Sequence, residues 1–333
     1  MIVDDVTATA RMRAVAHEAY GPPAVLDLVE LPRPVPGDDE VLLRVRAAAA
    51  NFADLCFLRG EPRILRLAGA GLGKPKNQIL GTDVAGLVEA VGRNVTALRV
   101  GDEVFGRCDG SFAEYVIAAP ADLVVKPADL GFPQAAGVAM AGLTALQALR
   151  DQAGVMAGQR VLINGAAGGI GTFAVQIAKA FGAEVTGVCS TPNVELVRSL
   201  GADHVIDYTQ ADFTAGGRVY DVILDNVENH PLAACRRVLA PTGTFIPNSG
   251  HGGRWIGSVG RLLKAVVLAR FTRQRIRVFM SSCRQADLVV LRELISSGQV
   301  VPVVDRVYPL AETAAALAYL GEGHARGKVV ITV

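Results

Sequence analysis

The residues of this chain best suited to chemistry begin with a glycine cluster, "VLINGAAGGIG", at Val161–Gly171. A short apolar run leads into it, and a helix-periodic segment, Ile170–Phe181, follows. Gly165, Gly168 and Gly171 are spaced three apart. Glycine permits positive-φ turns and close backbone approach to a ligand. The unpaired N–H groups at the helix start, around Gly169 and Ile170, then point outward at the positive end of the helix dipole, where a phosphate binds well. A tight turn with close helix packing would use the same glycines. The strand–helix series around the loop favours a dinucleotide, although the spacing GxxGxxG departs from the commoner GxGxxG.

The end of the next strand, "AEVTGV", bears on which dinucleotide. NAD-binding folds usually carry Asp or Glu there for the ribose 2′-OH. Here "CSTPN" offers Ser190, Thr191 and Asn193, with neither an acid nor an Arg or Lys. The expected cofactor is NADPH, with NADH possible. Metal chemistry has no visible ligand set. Cys56, Cys108, Cys189, Cys235 and Cys283 lie far apart, and the histidines at 17, 204, 230, 251 and 324 are equally scattered. Neither CxxC nor HExxH occurs, so no metal site and a reducing compartment are expected.

The elements that must position these residues fall into two kinds. From Met12 to Pro127 the chain is β-rich: "EVLLRVRAAAAN", "DVAGLVEAVG", "GDEVFGR" and "GSFAEYVIAAP" are short apolar or alternating runs closed by Gly or Pro. Such runs suggest a barrel-like β domain. After "KPADLGFPQAAGV" the spacing turns helical, and strand and helix signals then alternate through "GTFIP", which implies a parallel sheet. "RIRVFM" (Arg275–Met280) looks like one more buried strand, the helix "QADLVVLRELISSG" follows, and "GKVVITV" closes the chain as a strand. The length of 333 residues favours two domains, and 51% hydrophobic residues allow a sizeable core. A net charge of +1 leaves no electrostatic footprint for nucleic acid. No apolar stretch is long enough to span a bilayer, and no signal peptide is visible. The expectation is a cytoplasmic protein with a small-molecule substrate and neither nucleic-acid nor membrane partners.

Taken in order, "NFADLCFLRG", "ILGTDVAGLVEAVG", "VGDEVFGR", "GSFAEYV", "AMAGLTALQAL", "VLINGAAGGIG", "SLGADHVIDY" and "GKVVIT" resemble the medium-chain dehydrogenases/reductases, in their quinone oxidoreductase (zeta-crystallin-like) branch. The resemblance runs from about Met12 to Val333. It implies an α/β fold, with a Rossmann doubly wound parallel sheet inserted in a GroES-like β-rich catalytic domain. The implied division is 1–132 and 281–333 for the catalytic domain and 133–280 for the nucleotide domain. Zinc-bearing relatives carry a Cys where Asn51 stands and His-Glu where Thr82 and Asp83 stand, so zinc chemistry is not expected. Asp83 is read as a structural acid near the domain junction.

The resemblance also places Asn51 near the nicotinamide as a donor to a developing oxyanion, with Asp54 behind it as an orienting group. The proton source stays open between a side chain, water and the ribose hydroxyl. Thr144 is expected at the nicotinamide ribose, and Asn164, Gly165, Ala167, Gly168, Gly169 and Ile170 at the pyrophosphate. Ser190, Asn193 and Tyr208 are expected around the adenosine 2′ side; relatives with a Lys in that pocket have it where Asn193 stands. Asn226, Val227, Asn248 and Ser249 are expected at strand ends facing the cofactor, Phe279 and Met280 along the nicotinamide, and Lys328 reaching the cofactor from the terminal segment. The implied activity is NADPH-dependent reduction of a quinone or an activated C=C next to a carbonyl. The alternatives are a free-standing enoyl-thioester reductase and a non-catalytic NADPH-binding protein. "RIRVFM" resembles the edge strand through which relatives form homodimers.

Overall fold

The computed structural model describes residues 10–248 and 273–333. Strands β1 (Arg11–Ala16) and β2 (Asp27–Pro32) form an antiparallel pair. Then come β3 (Val41–Ala50), helix α1 (Phe52–Arg59), β4 (Asp83–Val91), β5 (Glu103–Arg107), β6 (Tyr115–Ala118) and β7 (Leu123–Val125). In β3 the alternation puts Arg44 and Arg46 outward while Val41, Leu43 and Val45 are buried. At its C-terminal end the strand continues as four buried alanines, whose small side chains let other elements pack close on both faces.

Helices α2 (Phe132–Ala136) and α3 (Ala139–Leu146) lead into the alternating half. There β8 (Arg160–Asn164), α4 (Gly169–Ala180), β9 (Glu184–Cys189), α5 (Val194–Ser199), β10 (His204–Asp207), β11 (Tyr220–Asp225), α6 (Leu232–Arg237), β12 (Leu239–Pro247) and β13 (Arg275–Ile276) follow in order. These strands form one sheet in the order β10-β9-β8-β11-β12-β13, and every pair is parallel. The strand order reverses between β8 and β11. In a doubly wound sheet that switch point opens a crevice at the carboxyl ends, where ligands bind.

The chain then crosses back. Helix α7 (Gln285–Ser296) sends Leu288 and Leu291 into the core shared with α3 and α4, while Gln285 Nε2 donates to the carbonyls of Pro120 and Leu123. After it come β14 (Val304–Pro309), α8 (Thr313–Gly321) and β15 (Lys328–Thr332). The two strands join the first sheet, ordered β14-β15-β3-β4-β5-β7 with β6 also on β3. One hydrophobic core spans both halves: it holds Ala47, Ala85 and Phe105 from the first sheet, Ile163 from the second, and Phe173 and Val175 from α4.

One expected strand is different in kind. Of "RIRVFM", Arg275 and Ile276 pair with Thr244 and Phe245 of β12, and Arg277 N donates once more to the Phe245 carbonyl. Met280 is 94% exposed and Val278 is also exposed. The segment is a short sheet edge rather than a buried strand. Among the described residues it has a neighbour on one side only, so its remaining residues lack the extended pairing that their sequence suits.

Candidate active site

Strand β8 ends at Asn164, and the chain turns at once through Gly165, whose φ is +77°. A Cβ on Gly165 would lie 2.8 Å from Val227, and one on Gly171 only 2.0 Å from the Gly165 carbonyl oxygen. The glycines are therefore required for the loop to fold back against its own helix. The first helical hydrogen bond of α4 runs from Thr172 N to Gly168 O at 2.9 Å. The N–H groups of Gly169, Ile170 and Gly171 precede it; that of Gly169 faces the Gly327 carbonyl in the bridge to the terminal segment, so Ile170 and Gly171 are the helix's open donors. The result is a cradle of backbone donors at a helix N-terminus, which fits a dinucleotide pyrophosphate.

The switch point is stitched by side chains. Asn164 Nδ2 donates to Asp225 Oδ1 at 2.7 Å, and Asn226 Nδ2 donates to the Asn164 carbonyl at 3.2 Å. Asn248 Nδ2 donates to Asn226 Oδ1 at 2.8 Å. These groups and Val227 line the ends of β8, β11 and β12. Ser249 lies outside the described residues.

Lys328 begins β15 directly beneath the cradle. Gly327 N donates to the Ala167 carbonyl at 2.8 Å, tying the terminal strand to the glycine loop. The Lys328 stem packs against Gly137 and Gly169, where a Cβ would come within 3.2 Å of it. Its Nζ donates to Asn51 Oδ1 at 2.5 Å and to Asp83 Oδ2 at 3.2 Å. Asn51 Nδ2 donates to Asp83 Oδ2 at 3.1 Å and to the Ala49 carbonyl at 3.2 Å. The other Asp83 oxygen accepts from Met140 N at 2.8 Å. Asp83 is fully buried and Lys328 nearly so. A lysine, an amide and a carboxylate from three distant parts of the chain thus form one closed network. Both Nδ2 hydrogens of Asn51 are used within it, so the amide expected to face an oxyanion instead holds Asp83. The acid read as merely structural is the hub.

Asn51 also starts α1, where it shares a reciprocal cap with Asp54. Asp54 Oδ2 accepts from Asn51 N at 2.7 Å, and Oδ1 accepts from Gly81 N at 3.3 Å. Burial pushes the Asp54 carboxyl up to about 7; Asp83 nearby adds to the rise, while the hydrogen bond from Asn51 N and the Lys328 charge oppose it. On α3, Thr144 Oγ1 donates to the Met140 carbonyl at 2.7 Å and lies 3.0 Å from Ser281 Oγ. Phe279 packs on the core, whereas Met280 projects into solvent.

At the far end of the crevice, Asn193 Nδ2 donates to Ser190 Oγ at 3.1 Å, and Tyr208 is half exposed. Thr191 Oγ1 donates to Asp207 Oδ2 at 2.6 Å. A carboxylate therefore does stand beside this loop. It comes from the end of β10 rather than β9, which is why the residues after β9 did not reveal it. The Thr191 hydrogen bond, with others from Thr209 and Gln210, holds Asp207 below the usual carboxylate range.

Comparison with known proteins agrees with this geometry. Residues 37–129 match the alcohol dehydrogenase GroES-like domain family, and residues 200–331 match the zinc-binding dehydrogenase family. The quinone oxidoreductase of Coxiella burnetii superposes with a TM-score of 0.86 at 32% identity, over 97% of this chain and 100% of that one. A mitochondrial NAD(P)H oxidoreductase of Bos taurus is 33% identical over 89% of this chain and 82% of its own length. This chain belongs to the medium-chain dehydrogenase/reductase superfamily, in its quinone oxidoreductase branch. A trans-enoyl reductase of Aspergillus terreus is 36% identical over 89% of this chain and 87% of its own length. The fold is that of the superfamily, a six-stranded parallel Rossmann sheet with a GroES-like β domain, and the activity class is that of an NAD(P)H-dependent oxidoreductase.

The second matching family is that of the zinc-binding dehydrogenases, and zinc asks for a particular donor set. Zinc takes Cys, His or carboxylate ligands in tetrahedral geometry. Asn51, Thr82, Asp83 and Lys328 supply an amide, a hydroxyl, one carboxylate and the ammonium already bonded to it. A dication here would meet the Lys328 charge, so these side chains do not suit zinc. Among the described residues, no three of His, Cys, Asp or Glu gather in a way that could hold a metal ion.

Proposed function

We propose that this protein is a zinc-independent reductase that prefers NADPH and delivers hydride to a quinone or to the activated C=C or C=O of an enone-type substrate. The observation that carries this reading is the joining of Gly327 to the glycine loop. It brings the Asn51–Asp83–Lys328 network to the mouth of the phosphate cradle. The bound nicotinamide supplies the hydride. The protein's part is position and charge. The Ile170 and Gly171 donors hold the pyrophosphate, and Thr144 with Ser281 faces the nicotinamide ribose. Lys328 puts a fixed positive charge between the cofactor and the reacting end of the substrate. Asn51 and Asp83 position that lysine, and Asp54 orients Asn51.

We further propose the same three-part division at 132/133 and 280/281, a homodimer formed through the β13 edge, and a reducing compartment such as the cytoplasm. The five cysteines are free thiols, which accords with such a compartment. The likeness to a trans-enoyl reductase favours one second reading, a free-standing enoyl-thioester reductase. Stopped-flow oxidation of NADPH against quinones, enones and enoyl-CoA esters separates them. Fastest turnover with quinones or simple enones supports the proposal. Turnover confined to enoyl thioesters favours the second reading, and no oxidation by any member refutes both.

A further inference from the structure

Between Asp54 and Gly81 the chain makes a long excursion whose two ends are pinned on one carboxylate: Asp54 accepts from Asn51 N and from Gly81 N. The excursion has internal order. Tyr20 OH donates to the carbonyls of Ala70 and Gly71 at 2.7 and 2.6 Å. Arg66 stacks 4.2 Å over the Tyr20 ring and donates to the Gly60 and Arg59 carbonyls. Even so, it turns large apolar side chains to solvent. Leu67 is 75% exposed and Leu72 71%, with Phe57 and Ile64 also exposed. Leucines exposed to this degree on an ordered segment, close together in sequence, suggest an interaction surface.

The charge around them is one-sided. From Leu55 to Gln78 the chain carries Arg59, Arg63, Arg66, Lys74 and Lys76 against Glu61 alone, a net +4. The whole chain is only +1, so the remainder is −3. The segment is thus one locally basic stretch; the sequence holds another, Arg236–Arg284, with ten Lys and Arg and neither Asp nor Glu. Exposed leucines flanked by lysines and arginines complement a surface that is apolar inside and anionic outside. No described helix is long enough to cross a membrane.

We propose that the segment Arg59–Gln78 docks on the surface of an anionic lipid bilayer, with Leu67 and Leu72 entering the headgroup boundary and Lys74 and Lys76 meeting lipid phosphates. This revises the expectation of no membrane partner, which rested on the absence of a spanning segment. Docking would set the mouth beside Asn51 one short helix from a phase where lipophilic substrates dissolve. That consequence rests on the proposed function; the docking itself does not.

The test is co-sedimentation of the full chain with phosphatidylcholine vesicles, with and without phosphatidylglycerol. The variants are Lys74→Glu/Lys76→Glu and Leu67→Ser/Leu72→Ser, each checked for an unchanged thermal melt and unchanged NADPH affinity. The expected result is binding to anionic vesicles only, weakened at high salt. The lysine pair should lower partitioning about 30-fold or more, from about fivefold for each positive charge lost near the surface, and the leucine pair should lower it at every salt concentration. Three outcomes would overturn the proposal: equal binding to neutral vesicles, no binding by wild type, or binding that both variants retain. A fourth is a fall in solution mass in the leucine variant without lipid, because a second copy of the chain would then be the occupant. Activity with a soluble acceptor is not the readout, so failure here leaves the proposed reductase reading intact.

Discussion

Lys328 and Asp83 depend on each other. Asp83 has no exposure, and the ammonium 3.2 Å from its Oδ2 is its counter-charge. Removing one partner of a buried pair leaves the other desolvated and unpaired, at a cost of about 3–5 kcal/mol. Lys328→Met should lose that much in denaturant unfolding, and adding Asp83→Asn should recover a large part of it. A double variant no more stable than the single would show that the pair is not coupled. Asp54 links stability to pH. Its folded value of about 7 lies above the ordinary 3.8, so the native state holds this proton more tightly than the unfolded chain does. Its contribution is full below about pH 4 and is lost as pH rises through about 7, a span on the order of 4 kcal/mol. The stability of wild type relative to Asp54→Asn should therefore fall across that window. A constant difference would contradict the assignment. At the proposed 2′ pocket, Ser190→Asp adds a charge that should repel a 2′-phosphate and move preference towards NADH. Asp207→Asn removes one and should move it towards NADPH. Dissociation constants of both cofactors decide, and tighter NADH binding by the wild type would overturn the NADPH preference.

Among the elements, those with short local signals were readable in the sequence. The strands β8, β9 and β11 are brief apolar runs between glycines and helices, and the start of α4 is marked by the glycines that a Cβ would destroy. The extent of β13 was not readable, because β-like composition does not reveal how many residues find a partner, and among the described residues the pairing of "RIRVFM" stops after Arg277. The network at Lys328 was legible as separate residues but not as a contact. Its lysine and amide are 277 positions apart and meet only because β15 lies beside β3. Asp207 was missed for a related reason, since it reaches the β9 loop from a neighbouring strand. The glycine loop itself gives an element-level prediction. Gly171→Ala puts a methyl 2.0 Å from the Gly165 carbonyl. It should cost about 1–3 kcal/mol or more and abolish tight cofactor binding. Gly216→Ala, with nothing within 4 Å of the added carbon, should be neutral or slightly stabilising. Calorimetry on both proteins makes the comparison, and a Gly171→Ala protein with wild-type NADPH affinity would count against the cradle.

For the whole molecule, the two sheets share one core, and the terminal strand, β15, closes the β domain while it holds the glycine loop. Among the described residues the parallel sheet ends at β13, and an open edge is a natural place for a second copy to pair. Light scattering at micromolar concentration should return twice the chain mass. A proline at Ile276 should lower it, and a monomer in the wild type would dismiss the dimer. The central claim is that a fixed lysine charge, and no metal, serves hydride transfer from NADPH. It is tested most directly by single-turnover oxidation of C4-deuterated NADPH by a quinone, using protein dialysed against a strong zinc chelator. The account predicts undiminished turnover with a primary isotope effect in the chelated wild type, and a large loss of rate in Lys328→Met that added zinc does not restore. Loss of turnover on chelation, with recovery on adding zinc, would contradict it.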